Sequence, residues 1–197
     1  VKVDGRLERG GQTRRQILRR AVDIASVEGL EGLSIGRLST ELEISKSGVF
    51  AHFGSKEELQ LATVKAAAAI FVGQVVEPAL ALPEGLVRLT ALLDGWIAYS
   101  EGRTFPGGCF FYAVQAEFDA RPGRVRDAIA DYDRRWHDLV TRTAAAVTDD
   151  PAQLAFELVA YLELANLRSV LHDDPTAYTR ARIAITRTLR ESSTRTP

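Results

Sequence analysis

The chain has 197 residues, enough to bury a full core as one medium domain or as a small domain docked on a larger one. Hydrophobic residues make up 46% and charged residues 26%, and the formal charge is -1, so composition advertises neither a nucleic-acid nor a membrane protein and any charge signal has to be local. A single cysteine, Cys109, excludes an intramolecular disulfide and a multi-cysteine zinc site.

The opening "VKVDGRLERGG" lacks the apolar stretch of a signal peptide, and the longest uncharged apolar run, Ala66 to Val76, is too short to span a bilayer. The expectation is a soluble, cytoplasmic protein without membrane, metal or cofactor partners.

Apolar residues recur at helical spacing almost everywhere, and no segment alternates over strand lengths, so the fold class is all-α with about nine helices. "TRRQ" at Thr13 to Gln16 has the form of a capping box and opens a first helix with Ile17, Ala21, Ile24 and Ala25 on one face and Gly29 as its stop. Ser34 caps a short helix through Leu42, and Ser45 caps a second one to about Phe53. "SKEE" from Ser55 to Glu58 caps a longer helix expected to end at Pro78. Leu86, Leu89, Leu93 and Trp96 then share a face, and Arg121-Pro122-Gly123 separates "GGCFFYAVQAEF" from the helix carrying Val125, Ile129, Tyr132 and Trp136. Both closing helices begin with "DDP", at Asp149 to Pro151 and at Asp173 to Pro175, in which an Asp caps and the proline fills the first turn. This divides the chain into 1–55, an arm and three helices of which the second and third are only two turns long; 56–190, a larger helical domain; and 191–197, a frayed tail.

The helix from Pro151 to His172 carries two apolar stripes. Leu154, Leu158, Leu162 and Ala165 form one, while Phe156, Ala160, Leu164, Leu167 and Leu171 form another. Two readings stand: a central helix inside one bundle, or one face on the chain's own core and one on a second copy. In the second reading Ala181 and Ile185 of the last helix join the partner-facing surface.

Two short helices joined by a tight turn, the second opening with "SKSG", meet the needs of a helix-turn-helix. Lys46 and Ser47 reach base edges or phosphates, and Gly48 permits close approach. Phe50 and His52 lie toward the backbone side, and Lys56 meets a phosphate at the start of the next helix. Val49 and Phe53 face inward. Ser34 and Arg37 on the first short helix, and Ser45 at the cap of the second, complete the candidate DNA-binding set. Arg14, Arg15, Arg19 and Arg20 add positive charge on the first helix, and Lys2, Arg6 and Arg9 lie on a glycine-containing arm. Glu43 stands in the turn, at a position where a left-handed backbone favours glycine.

"LSIGRLSTELEISKSGVFAHFGSKEEL", Leu33 to Leu59, resembles the DNA-binding region of TetR-family transcriptional regulators. The resemblance implies a homodimer on a two-fold symmetric operator in double-stranded DNA, with a variable C-terminal pocket for a small-molecule effector. It places Lys46, Ser47 and Gly48 on base-reading positions and His52 and Lys56 on phosphate-binding ones. Phe50 falls where the family often has Tyr.

Aromatic residues concentrate in the larger domain. Trp96, Tyr99, Phe110, Phe111, Tyr132 and Trp136 are candidates for a cavity lining, with Glu117, His137 and Asn166 as its polar groups. Plain core packing is the alternative for each aromatic. Cys109 is either a sensing thiol or a small buried hydrophobe. An enzyme finds little support, because no two histidines have metal-ligand spacing and neither a phosphate loop nor a G-x-S-x-G elbow occurs. A ligand-independent DNA-binding protein remains the closer competitor of a ligand-responsive repressor.

Overall fold

Side-chain caps set four of the helix starts, and left-handed residues set the sharpest stops. The computed structural model describes residues 5–193, with nine helices and no strand among them. These are α1 (Gly5–Glu28), α2 (Ile35–Glu41), α3 (Lys46–Phe53), α4 (Lys56–Leu80), α5 (Leu86–Glu101), α6 (Phe110–Phe118), α7 (Arg124–Ala144), α8 (Pro151–Leu171) and α9 (Ala177–Ser193). Ser34, Ser45, Ser55 and Asp150 each accept a hydrogen bond from the amide three residues on, at Arg37, Gly48, Glu58 and Gln153.

Four boundaries differ from the sequence expectation. The first helix begins by Gly5, so Thr13 lies inside it instead of capping it. The proposed arm therefore holds helical backbone from Gly5 on, and Lys2 lies outside the described residues. The second difference is at Pro78, which α4 passes by two residues because its backbone widens into a π-turn over Val72–Val76. The wider turn relieves the clash between the proline ring and the preceding turn's carbonyl. At the third, the last helix starts at Ala177, since Asp174 bonds the amide and hydroxyl of Thr176 and holds a turn where a first helical turn was expected. The fourth is the tail, where residues 191–193 still belong to α9, and 194–197 lie outside the described residues.

One continuous apolar core runs from Ile17 to Leu189. α1 packs on α4 and α6, α4 also packs on α7, and α8 lies between α7 and α9 while touching α5. Trp96, Phe105 and Phe110 are fully buried, and each such side chain contributes about 2–3 kcal/mol by leaving water. By composition α4 is long and apolar enough to cross a membrane, yet its Leu59, Val64, Ala67 and Phe71 are spent on this core.

The two stripes of α8 separate cleanly. Leu154, Leu158, Leu162 and Ala165 are buried, whereas Phe156, Ala160, Leu164, Leu167 and Leu171 lie at the surface. α8 is thus not enclosed on both sides by its own bundle. Ala181 and Ile185, expected beside the second stripe, instead face inward and belong to the chain's own core, because the face of α9 that meets α8 carries them. The exposed apolar residue of α9 is Ile183.

Candidate nucleic-acid interface and internal cavity

The turn between α2 and α3 begins at Leu42. The amide of Glu43 bonds the Thr40 carbonyl and that of Ile44 bonds the Ser39 carbonyl, the paired closure of a helix that ends in a left-handed residue. That residue is Glu43, at φ 55°. A side chain there costs about 1 kcal/mol relative to glycine. Glu43→Gly is expected to raise stability by about that amount, read as an upward shift of the urea midpoint, and to strengthen non-specific DNA binding by removing an exposed negative charge. An unchanged or lowered midpoint would contradict the strain.

The turn sets the register of α3. Val49 and Phe53 are buried, and Lys46, Ser47, Phe50 and Ala51 form an exposed stripe. Spacings of three and four residues put these on one helix face. Phe50 is 52% exposed, a large apolar ring that its own chain covers only in part. Gly48 is half-buried and lies off this stripe. A Cβ there would meet Ser45 Oγ at 3.0 Å and Ile44 Cγ2 at 3.1 Å, so its small size leaves room for the Ser45 cap within the turn. Ser34 and Ser45 are occupied as caps.

The remaining cations are mostly paired within the domain. Arg37 binds Glu28 and Glu41, and these hydrogen bonds hold both carboxyls below the usual carboxylate range. Arg20 pairs with the same Glu41. Lys56 Nζ lies 2.8 Å from Glu31 Oε2 and 2.9 Å from its carbonyl. Arg14 donates to the His52 carbonyl and stacks over Phe53 at 4.5 Å, and Arg19 donates to the Thr104 carbonyl. Lys46 and Arg15 have no ion pair among the described residues and are exposed.

In the larger domain α4, α5, α6 and α7 line a partly open cavity of about 340 Å³. Phe71, Trp96, Phe111, Tyr112, Tyr132 and Trp136 form most of its wall, with Gln115, Asp133, Arg135 and Arg142 as polar groups. Phe71 meets Trp136 edge-on at 5.3 Å. Of the wall residues, Trp136 has a buried Nε1 without a hydrogen-bond partner, while the Tyr112 hydroxyl lies beside the Glu163 carboxyl. Cys109 also borders the cavity. Burial pushes its thiol up to about 11, so it stays protonated and unreactive near neutrality.

Several expected lining residues sit elsewhere. Tyr99 and Phe110 are core, and the amide of Phe110 donates to Tyr99 Oη at 3.4 Å. Asn166 Oδ1 accepts from Ser100 Oγ and from the Cys109 amide, both at 3.0 Å, tying α8 to α5 and to the loop before α6. His137 lies outside the cavity wall, 3.8 Å from Asp133. Glu117 is on the far side of α6. Its Oε2 accepts from the Leu30 amide at 2.7 Å and its Oε1 from the Glu31 amide at 2.8 Å.

Two family models cover most of the chain. Residues 17–63 match "Bacterial regulatory proteins, tetR family", and residues 85–185 match "Tetracyclin repressor-like, C-terminal domain". The chain belongs to the TetR family. No match to the sequence occurs among curated proteins. A TetR-family regulator from Streptomyces coelicolor has the same fold, at 24% identity and a TM-score of 0.81 over 93% of this chain and 97% of that one. A putative regulator from Saccharomonospora viridis, solved with choline, shares 16% identity at a TM-score of 0.76, covering 91% and 96%. AibR, solved with isovaleryl coenzyme A and operator DNA, shares 18% at 0.70, covering 88% and 96%.

What this TetR-family regulator hides from its sequence is the link between its two parts. Glu117 reads as a pocket acid because it follows an aromatic run, and only the crossing of α6 under α1 brings it to the amides at the end of α1. A usable signal was Gly29, at φ 77°, whose bare Cα leaves the room that the carboxylate fills. The pairing of Arg37 was legible in part, since Glu41 lies one helical turn away.

Proposed function

We propose that this TetR-family regulator is a dimeric repressor that leaves its operator when a small molecule fills the cavity of the larger domain. The observation that carries the reading is α6. One side of this nine-residue helix lines the cavity with Phe111, Tyr112 and Gln115, and its last turn holds the end of α1 through Glu117. A ligand that displaces α6 therefore acts directly on the segment 29–32, which Gln60 and Lys56 also grip through Leu30 and Glu31. Ligand and operator then compete for two positions of α6, and differential affinity for those positions sets the size of the response. The neighbours solved with choline and with a coenzyme A thioester support a ligand in the domain.

The reading face is the stripe Lys46, Ser47, Phe50 and Ala51, with residues 1–55 as reader and 56–190 as body. Lys46 and Ser47 present polar groups at the N-terminal end of α3, where open amides favour a phosphate. Phe50 offers an apolar contact to a thymine methyl. Arg37 and Lys56 contribute phosphate contacts only by exchanging their carboxylate partners. As an operator-binding protein it works in the cytoplasm.

The test starts by selecting DNA fragments with the purified protein and measuring affinity against salt. Lys46→Ala is expected to lower affinity and to flatten the slope of log affinity on log salt by about 1.8, about 0.9 for one phosphate contact from each copy of the dimer. An unchanged slope removes Lys46 from the interface. A ligand-independent DNA-binding protein is indicated instead if cavity-filling molecules stabilise the fold without changing operator affinity.

A further inference from the structure

The cavity between α4, α5, α6 and α7 differs in chemistry from one end to the other. Its charged wall residues, Asp133, Arg135 and Arg142, all come from α7, whereas α4 and α5 contribute only apolar side chains. Arg135, Leu139 and Arg142 follow at spacings of four and three and so share a face of α7. Both arginines are exposed, as are Val72 and Leu80 of α4 opposite them, and these four form the rim. Phe71 and Trp96 are buried and form the inner end. The two rim cations are not equivalent. Arg135 lies 2.6 Å from Asp131 and 5.5 Å over the Tyr132 ring, while Arg142 has no ion pair among the described residues. The neighbouring acids have other partners. Asp133 accepts from Gln115 Nε2 at 2.7 Å, and Glu84, in the groove that continues past Leu80 and Leu139, pairs with Arg88 at 3.2 Å.

We infer that the effector is an amphipathic monocarboxylate, its apolar body among the aromatic rings and its carboxylate at Arg142. The inference rests on the proposal that this cavity is the effector site, and it adds the ligand's chemical class. A charge at the inner end would leave water with nothing to pair it, whereas at the rim it keeps part of its hydration and meets a guanidinium. The apolar wall supplies affinity, and the single placed charge supplies orientation. One unpaired arginine matches one negative charge, and a dianion would leave its second charge uncompensated. The alternative an aromatic wall invites is a quaternary ammonium held over ring faces. Here such a head group would have to lie beside two arginines, with the nearby carboxylates already engaged.

The experiment compares three probes with one apolar body by calorimetry and thermal shift on the full chain: 6-phenylhexanoate, 6-phenylhexan-1-ol and (6-phenylhexyl)trimethylammonium. The carboxylate is expected to bind roughly fivefold tighter than the alcohol at low salt, the upper range of a partly exposed ion pair, and the preference should shrink as salt screens it. Arg142→Gln should bring the two within roughly twofold while leaving the alcohol's affinity unchanged, and Arg142→Lys should retain part of the preference. Arg142 is exposed, so both variants are expected to fold. Equal affinity of acid and alcohol in the parent overturns the carboxylate assignment but keeps the cavity as a site. A preference that survives Arg142→Gln overturns the place given to the carboxylate. Tightest binding of the ammonium compound overturns the assignment in favour of a cation site. Binding of none of the three overturns it together with the effector-cavity reading beneath it.

Discussion

Replacing Gly29 by alanine lowers the stability of this TetR-family regulator by about 3 kcal/mol, a fall in Tm of roughly 6–12 °C for a chain of this size. Two independent costs add at this position. The backbone is at φ 77°, where a Cβ costs about 1 kcal/mol. The new Cβ would also fall 2.8 Å from Glu117 Cδ and 2.9 Å from its Oε1, so the carboxylate has to leave the Leu30 and Glu31 amides. Charge-assisted bonds of this kind are worth about 1.5–3 kcal/mol apiece, partly recovered by water at this half-exposed turn.

A double-mutant cycle separates these terms. Glu117→Ala removes the two bonds and opens the space, so Gly29→Ala in that background retains only the backbone cost of about 1 kcal/mol. Strict additivity would show that the carboxylate and the glycine do not share the space. The same pair tests coupling between the parts. If α6 transmits through Glu117, Glu117→Ala keeps ligand binding and loses most of the ligand's effect on operator affinity. A variant that keeps both would transfer the coupling to another contact, of which the Gly107 amide donating to Ser26 Oγ is the nearest candidate.

The second large effect is expected at the exposed stripe of α8. Leu164 is 56% and Leu167 50% exposed, and with Phe156 and Leu171 they continue one apolar face along the helix. A patch of that kind on an isolated subunit marks an interface. The proposed occupant is a second copy, because a helix face repeated on two copies is self-complementary about a two-fold axis, the symmetry a palindromic operator would use. Leu164→Arg with Leu167→Arg should convert dimer to monomer in sedimentation without changing the helical content, since neither side chain is part of the subunit's core. Losing the second reader should then weaken operator binding by about 10²–10⁴, because the second half-site contact ceases to be intramolecular. Retained dimers would assign the stripe to a different partner.

Capping serines, the prolines and the apolar period are local features, and they located nearly every helix from the sequence. The misplacements are physical in origin. Pro78 ends a regular helix but not one that can widen by a residue per turn, and a π-turn depends on what the neighbouring helix accepts. Thr13 has the form of a cap, but a good cap sequence inside a helix is simply bypassed when the chain before it is also helical.

The sequence by itself determined the all-helical class, the helix-turn-helix with its strained Glu43, and the existence of a second apolar stripe on α8. These follow from interactions between residues at most a few positions apart. Only the tertiary structure decided which side chains are available. It turned Ala181 and Ile185 inward and moved Glu117 and Asn166 from a pocket to backbone amides. It also bound Arg37 and Lys56 to carboxylates and left the Trp136 indole N–H without an acceptor. Such outcomes depend on which helices cross and at what distance, and residues more than 80 positions apart, as Glu117 and Leu30 are, carry no mutual mark in a linear pattern.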